Sequence, residues 1–445
     1  MRLYVTELSR YVIAGLMLVY TVLSFLILKL SGERKRSGLY AVQIVVLFAT
    51  QIACYVQIIA KTGSINYLFL FAFQIVILFA TITLFRMLYP DGNRLVIHHM
   101  CMLLMIGMVM VSRISYDKAV RQFVIAAGST VIAFAIPEIF YRLAFLKHLW
   151  PVYALFGIGA LGAVLILGRV VHGSKLNYTI GGLTFQPSEL IKIVFILCIA
   201  SLLQERQDLL RVALATVLAA AHVLILVYSR DLGSALIFFV TYLTMLFIAT
   251  ANVWYLFSGI GTGALASVVA YRLFPHIRTR VQAWRDPWSQ IDGAGYQVAQ
   301  SLFGISSGGA FGLGLYGGAP GDIPYVERDS IFSAIAEELG LVFAVCMILV
   351  CVSCFLMILW EAERVQDGFC RLVAAGIGVT YVFQVFLTVG GGTKFIPLTG
   401  VTLPLVSYGG TSVLVTIWMF ALFEGVCLVG TDERYQQYLT RMEEP

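Results

Sequence analysis

The chain has 445 residues, of which 60% are hydrophobic and only 12% are charged. A soluble globular domain carries roughly twice that share of charge, so the composition excludes an ordinary soluble protein. The formal net charge of +6 is usual for a membrane protein with basic cytoplasmic loops and does not indicate nucleic-acid binding. Apolar runs of about 20 residues recur along the chain, which predicts an all-α polytopic membrane protein.

Hydropathy predicts about thirteen membrane-spanning helices. The first three lie within residues 1–95 and carry neither a charge at membrane depth nor a motif, so we interpret them as an appended module. Ten more lie within residues 96–428 and are interrupted by a long polar segment, residues 275–330. A short tail, residues 429–445, follows them. The predicted spans are centred on residues 11–30, 39–60, 67–88, 96–112, 122–143, 150–169, 185–204, 209–228, 232–250, 254–274, 331–360, 371–390 and 403–427.

The distribution of lysine and arginine predicts the orientation of these spans. Basic residues are concentrated in the loops 31–38, 86–97 and 361–371 and in the tail, which all fall on one side if the number of spans is odd. The positive-inside rule then places the C-terminus in the cytoplasm and the N-terminus outside. The polar segment 275–330 faces outward in this orientation. The basic loop 113–121 argues against it.

Two charged residues lie at or near membrane depth, where charge is costly and usually faces a cavity or a partner. Lys192 lies early in one predicted span, and Asp231 opens another. We predict an ion pair between them, which either joins the two helices or lines a polar cavity used by a lipid headgroup or a proton. Glu189 precedes Lys192 by three residues on the same helix face, so it is able to share the pair.

The polar segment ends in the carboxylate that is the strongest candidate for chemistry. Asp329 directly precedes the span that begins near Ile331. Partial desolvation at that position would raise the pKa of its carboxyl toward a value useful for a general base. Arg278 and Arg280, at the start of the segment, are candidates for neutralising a phosphate-bearing substrate. The alternative interpretation is that Asp329 caps the following helix.

The same segment contains a glycine-rich stretch from Gly304 to Gly321, with a literal GxGxxG at Gly312–Gly317. No βαβ pattern surrounds this motif, so a dinucleotide site is rejected. The glycines predict a compact, bent loop whose backbone approaches a ligand or the bilayer. Its amides are also a weak candidate for holding a pyrophosphate.

A second irregular stretch, residues 390–412, is rich in Gly, Pro and hydroxyl side chains. Irregular backbone at membrane depth is tolerated where it is buried in protein or lines a cavity. Lys394 is therefore a candidate for binding an anionic headgroup, and Ser407 is a further candidate for contact with the substrate. The alternative is a re-entrant structural turn.

Several of these segments occur in an order that resembles the SEDS family (shape, elongation, division and sporulation; RodA-, FtsW- and SpoVE-like proteins). The resemblance covers residues 96–428, which would form the ten-helix core of that family, and leaves out the first 95 residues. The matching segments are Gln186–Lys192, Asp231–Ala235, Asp286–Trp288, Gly293–Gln297, Asp329–Phe332, Ala336–Gly340, Pro397–Gly400 and Ser407–Gly410.

The resemblance implies a peptidoglycan glycosyltransferase that polymerises lipid II at the outer face of the bacterial cytoplasmic membrane. It implies that Asp329 is the essential residue and base, and that Lys192 and Asp231 form a buried salt bridge. It also implies a class B penicillin-binding protein as partner. Cations must absorb the charge of the leaving pyrophosphate. Arg278, Arg280 and Lys394 are candidates for this, and a bound divalent cation is the alternative, so the metal requirement stays open.

The chain departs from the family pattern close to Asp329. Glu327 stands where the family often has histidine, Ser330 follows the aspartate in place of phenylalanine, and Arg230 replaces a proline before Asp231. These changes bear on substrate preference more than on the fold. Two other functions stay open: a flippase or transporter of lipid-linked cell-wall precursors, and a non-catalytic scaffold. The sequence does not distinguish elongation from division or sporulation.

Overall fold

The computed structural model describes residues 2–30, 33–167, 169–171, 174–180, 183–205 and 208–443. Predictions that concern residue 1, the loop residues 31–32 and the tail residues 444–445 lie outside this described part, as do the side chains of Arg34 and Arg441. α-Helices dominate the described chain, which confirms an all-α polytopic membrane protein. Eleven of the described helices are long and apolar enough to cross a membrane.

Three helices form the N-terminal module: α1 (Arg2–Lys29), α2 (Glu33–Thr62) and α3 (Ile65–Leu88). Both α2 and α3 pack against α4 (Arg94–Ile114). The apolar part of α4 is completely buried because the module covers one side and later helices cover the other. Gln43 of α2 contacts His98 Nδ1 of α4 through its side-chain oxygen at 2.9 Å, so polar contacts add to the apolar packing.

The predicted span 122–143 forms two helices, α5 (Tyr116–Ala133) and α6 (Ile136–Arg142). The chain breaks between them because Pro137 lacks the N–H group that a continuous helix needs. A 3₁₀ turn (Ala144–His148) then leads into α7 (Trp150–Leu167).

A small antiparallel sheet, which the sequence analysis did not predict, follows α7. Its strands are β1 (Arg169–Val171), β2 (Ser174–Ile180) and β3 (Leu183–Phe185), in the order β1-β2-β3. Tyr178 pairs with Phe185 at the end of the sheet, and α8 (Pro187–Leu203) begins two residues later. The sheet therefore delivers the chain to the helix that carries Lys192.

Three spans follow α8: α9 (Leu209–Tyr228), α10 (Leu232–Thr250) and α11 (Val253–Leu273). The Asp231 carboxylate caps α10 by accepting a hydrogen bond from Ser234 N at 3.1 Å. No residue in the apolar part of α11 is buried, so this helix stands at the edge of the bundle.

The polar segment 275–330, which follows α11, is partly helical. It contains α12 (Pro275–Arg285), α13 (Tyr296–Gly308) and a 3₁₀ turn (Pro320–Asp322). Pro275 occupies the first turn of α12, where its missing N–H costs nothing. The two helices bring the ends of the segment against the bundle.

The last three helices are α14 (Ile331–Arg364), α15 (Gly368–Gly392) and α16 (Gly410–Glu443). The predicted span 403–427 begins later than expected, because Leu405 has a positive φ of 66° and Pro404 does not support a continuing helix. α14 is interrupted at Gly340, whose φ of 88° and ψ of 165° are not helical.

Candidate active site

Asp329 lies in the turn between the polar segment and α14, and its side chain is only 9% exposed. Gln297 of α13 donates from Nε2 to Asp329 Oδ1 at 3.1 Å and to Ser330 Oγ at 3.0 Å. Ser330 is the N-cap residue of α14, and no side chain forms a cap hydrogen bond there. The alternative interpretation of Asp329 as a helix cap is therefore wrong, and its carboxylate is left to the space in front of the helix.

Burial raises the pKa of the Asp329 carboxyl from 3.8 to about 6, although Gln297, Arg280 and Arg328 oppose the shift. A carboxyl of this kind is mostly ionised at pH 7 and is still able to take up a proton from a substrate. The raised pKa of Asp329 agrees with the partial desolvation expected from its position before an apolar span.

Arg280 of α12 lies beside this carboxylate without forming a direct ion pair with it among the described residues. Its Nη1 donates to Thr399 O at 3.1 Å, and burial lowers the pKa of the guanidinium while Asp329 and Asp231 oppose that effect. A methyl group added at Gly400 would lie 3.9 Å from Arg280 Nη2 and 4.0 Å from Asp329 Oδ2. Gly400, with φ of 78°, therefore keeps open the space that both charged groups face.

The two other predicted cations differ in position. Arg278 is exposed on α12, whereas the side chain of Lys394 is half-buried. The backbone oxygen of Lys394 accepts a hydrogen bond from Trp284 Nε1 at 3.0 Å, which joins the 393–409 loop to α12. Among the described residues, no group of three or more His, Cys, Asp or Glu is arranged to hold a metal ion.

Ser407 supports the turn that carries Asp329. Its buried hydroxyl donates to Arg328 O and accepts from Leu403 N at 2.8 Å, while Tyr408 N donates to Glu327 O at 2.6 Å. Both contacts of the hydroxyl are with backbone groups, and they position the residue that precedes Asp329. The contact of Ser407 with a substrate stays a prediction.

The predicted Lys192–Asp231 ion pair is not formed among the described residues. Lys192 Nζ lies 2.8 Å from Glu189 Oε2 and 2.7 Å from Gln384 Oε1 of α15. Glu189 shares the ion pair of Lys192, as its position three residues earlier predicted, and its further candidacy for substrate binding stays a prediction. The two residues lie one helical turn apart, so they meet without help from another helix.

Asp231 instead accepts hydrogen bonds from neutral groups at the start of α8. Ser188 Oγ donates to its Oδ2 at 3.0 Å, and Gln186 Nε2 donates to the same oxygen at 3.3 Å. These contacts still join α8 to α10. The connection between the helices was predicted correctly, but its donors were not.

The glycine-rich stretch wraps around the break in α14 rather than facing a ligand. Leu313 N donates to Glu337 O and Gly314 N to Glu338 O, each at 2.9 Å. The amides of Tyr316 and Ala319 donate to the Glu338 and Glu337 carboxylates at 3.0 and 2.9 Å. These amides are therefore not available to a pyrophosphate, and the weak prediction that they bind one is wrong.

Two ion pairs that were not predicted from the sequence join distant parts of the chain: one links α4 to α14, and the other links α5 to the polar segment. Arg113 Nη2 of α4 lies 2.8 Å from Glu338 Oε1, and Lys118 of α5 pairs with Glu327. Burial alone would raise the pKa of the Glu327 carboxyl, but the Lys118 ammonium brings it below the usual value. The only signal in the sequence was the surplus of cations in the loop 113–121, and these acidic partners account for it.

The described chain is thus a multi-pass helical membrane protein in which a buried carboxylate and a cation face one space at the end of an ordered polar segment. The chain belongs to the FtsW/RodA/SpoVE cell cycle protein family, whose match covers residues 93–428. The helices α1–α3 lie outside that match.

Relatives of known name lie on both the RodA and the FtsW branches. Peptidoglycan glycosyltransferase RodA of Mycobacterium bovis is 36% identical over 267 residues, which cover 56% of this chain and 57% of the relative. The probable peptidoglycan glycosyltransferase FtsW of Pseudoalteromonas translucida is 33% identical over 354 residues, or 74% of this chain and 86% of the relative. The chain thus spans little more than half of the mycobacterial protein.

Solved structures share the fold. A chain from a peptidoglycan synthase complex, described as coordinating polymerization and crosslinking, is similar with a TM-score of 0.65 and 25% identity, over 78% of this chain and 99% of that chain. The rod shape determining protein RodA of Thermus thermophilus has a TM-score of 0.58 and 24% identity, over 77% and 97% of the two chains. The second likeness concerns the fold alone.

Proposed function

We propose that this protein is a peptidoglycan glycosyltransferase that polymerises lipid II into glycan strands. The observation that carries the proposal is the buried Asp329 carboxylate, which shares one space with Arg280 in a chain of the FtsW/RodA/SpoVE family. Relatives named as glycosyltransferases support the activity.

In the proposed reaction, Asp329 acts as the general base. It takes the proton of the acceptor sugar hydroxyl while that oxygen attacks the anomeric carbon of the donor. The new glycosidic bond forms as the bond to the undecaprenyl pyrophosphate breaks. The pyrophosphate leaves as a stable anion, so it needs cations more than a proton donor. Arg280 is placed to supply that charge, and Arg278 and Lys394 lie on the elements that frame the site.

The proposal places the site at the outer face of the bacterial cytoplasmic membrane. The basic loop 113–121 argued against this orientation, but Arg113 and Lys118 are neutralised by Glu338 and Glu327. They therefore weigh less in the count of free cations that sets orientation. We also propose a class B penicillin-binding protein as the cross-linking partner, in line with the similarity to a synthase-complex chain.

The test is glycan polymerisation from purified lipid II in liposomes, with lipid II flipping measured in the same vesicles and with a candidate class B partner present or absent. Wild type should produce polymer, and Arg280→Gln should lose most of it. Arg272→Gln, which removes an exposed arginine of α11, is the matched control. Flipping without polymer would indicate a transporter, and neither activity from folded protein would indicate a scaffold.

A further inference from the structure

A cavity of about 470 Å³ lies at the end of the bundle opposite to Asp329. It is bounded by the start of α2, the end of α3, the start of α4 and Glu424 of α16. The cavity thus forms where the N-terminal module meets the family core, and two of its walls lie outside the residues that match the family. Its volume falls within the usual range for small-molecule sites, roughly 300–1,000 Å³.

Two arginines supply positive charge to this cavity. Arg86 ends α3 and is exposed, and Arg94 begins α4 and is half-buried. Among the residues that the structure describes, neither takes part in an ion pair, whereas Arg113 and Lys118 at the other end of the bundle do. Two unneutralised guanidinium groups beside one cavity favour a phosphate, which they hold with several charge-assisted hydrogen bonds.

The opposite wall presents a carboxyl group. Glu424 is 1% exposed; its Oε2 accepts a hydrogen bond from Asn93 N at 2.7 Å, and its Oε1 has no partner among the described residues. A buried carboxyl oxygen without a partner is costly. A ligand with a hydroxyl or ammonium group beyond its phosphate would supply the missing donor.

Apolar side chains also line the cavity and continue onto a surface suited to acyl chains. Ile44, Phe79, Ile82 and Ile97 line the cavity. Phe79 is 57% exposed on the outer face of α3, as expected for a side chain that contacts lipid. The two cations complement a phosphate, the carboxyl complements a headgroup donor, and the apolar surface complements acyl chains. A glycerophospholipid contains all three groups.

We propose that this cavity binds one glycerophospholipid, with the phosphate between Arg86 and Arg94 and the headgroup donor directed toward Glu424. The acyl chains lie along α3. By the charge distribution of the loops, this site faces the cytoplasmic leaflet. α4 separates it from the Arg113 end of the bundle by its full length, about 30 Å for 21 residues. The site is therefore independent of the proposed reaction at Asp329.

The test is native mass spectrometry of the full-length chain in detergent, titrated with phosphatidylglycerol, phosphatidylethanolamine or phosphatidic acid. The double variant Arg86→Gln/Arg94→Gln should bind the first two lipids at least tenfold more weakly, since each membrane-surface arginine contributes about fivefold. The control is Lys29→Gln/Lys35→Gln, which removes the same charge from exposed positions at the same end of the bundle and outside the cavity. It should bind like wild type.

Two further measurements locate the lipid. Ala41→Trp places a large side chain in the cavity and should abolish the bound lipid without a change in net charge. Phosphatidylglycerol and phosphatidylethanolamine should bind more weakly to Glu424→Leu, which removes the acceptor, whereas phosphatidic acid, which lacks a donor beyond the phosphate, should be unaffected. An equal loss of lipid binding in the arginine and lysine variants would overturn the proposal, and so would lipid that stays bound to Ala41→Trp. Competition by free glycerol phosphate as strong as that by the phospholipids would also overturn it.

Discussion

Gln297 donates its side-chain amide to the Asp329 carboxylate at 3.1 Å and so joins α13 to the turn before α14. The same nitrogen reaches Ser330 Oγ at 3.0 Å. The amide stabilises the ionised carboxylate, whereas burial opposes ionisation. Burial thus raises the pKa of the proposed base, while its own backbone amide, the Gln297 amide and the nearby arginines lower it.

Replacement of Gln297 by leucine should shift that balance. The variant removes a donor that lowers the pKa of Asp329, so the pKa should rise further above about 6. A base works only when deprotonated, so the acidic limb of the pH–rate profile for polymerisation should move to higher pH. Gln282→Leu, on the exposed side of α12, is the control. An unchanged acidic limb in Gln297→Leu would contradict the role of this hydrogen bond.

The contact between Lys192 and Glu189 should contribute to the free energy of unfolding. Lys192→Met leaves a buried carboxylate without its cation, which should cost about 3–5 kcal/mol of unfolding free energy. The double variant with Glu189→Gln should recover part of that loss. Double-mutant cycles in detergent would compare the 189/192 coupling with the 192/231 coupling. A larger coupling to Asp231 would restore the original pairing and contradict the structure.

Gly340→Ala should destabilise the chain by at least about 2 kcal/mol, because an alanine at a φ of 88° is strained. An added Cβ would also meet Ala310 O at 2.6 Å. Gly162→Ala in α7 is the matched control, since nothing lies within 4 Å of its Cβ position, and it should leave stability unchanged or improved. Thermal unfolding in detergent measures both, and an equal effect of the two variants would argue against the packed break in α14.

Hydropathy predicted the helical class because long apolar runs leave a chain in lipid few alternatives. It did not predict the sheet at 169–185 or the helices within 275–330, where the chain is polar and tertiary contacts decide the structure. Arg113 and Glu338 are 225 positions apart, and no local pattern connects them. Lys192 had a partner within its own helix, yet its contact with Gln384, 192 positions away, depends on how α8 and α15 are rotated.

The position of Asp329 was predictable because the residue lies where a polar segment meets an apolar span, so its carboxylate is close to the membrane surface. The roles of the residues around Asp329 were harder to predict from the sequence. Arg280 was a candidate by charge, but the role of Gly400 in keeping the shared space open depends on a loop that packs back onto α12. Ser407 was predicted by its chemistry and proved to be used by the backbone.

The most direct measurement is lipid II polymerisation by Asp329→Asn, with thermal unfolding recorded on the same sample and Asp292→Asn, an exposed aspartate of the same segment, as control. Burial raises the pKa of Asp329 above its unfolded value of 3.8, so its contribution to stability is present at low pH and is lost as pH rises through about 6. The neutral asparagine should therefore be as stable as wild type or more stable at pH 7, while polymerisation falls by at least about 100-fold. Polymer formation at the wild-type rate by folded Asp329→Asn would contradict the assignment of the base.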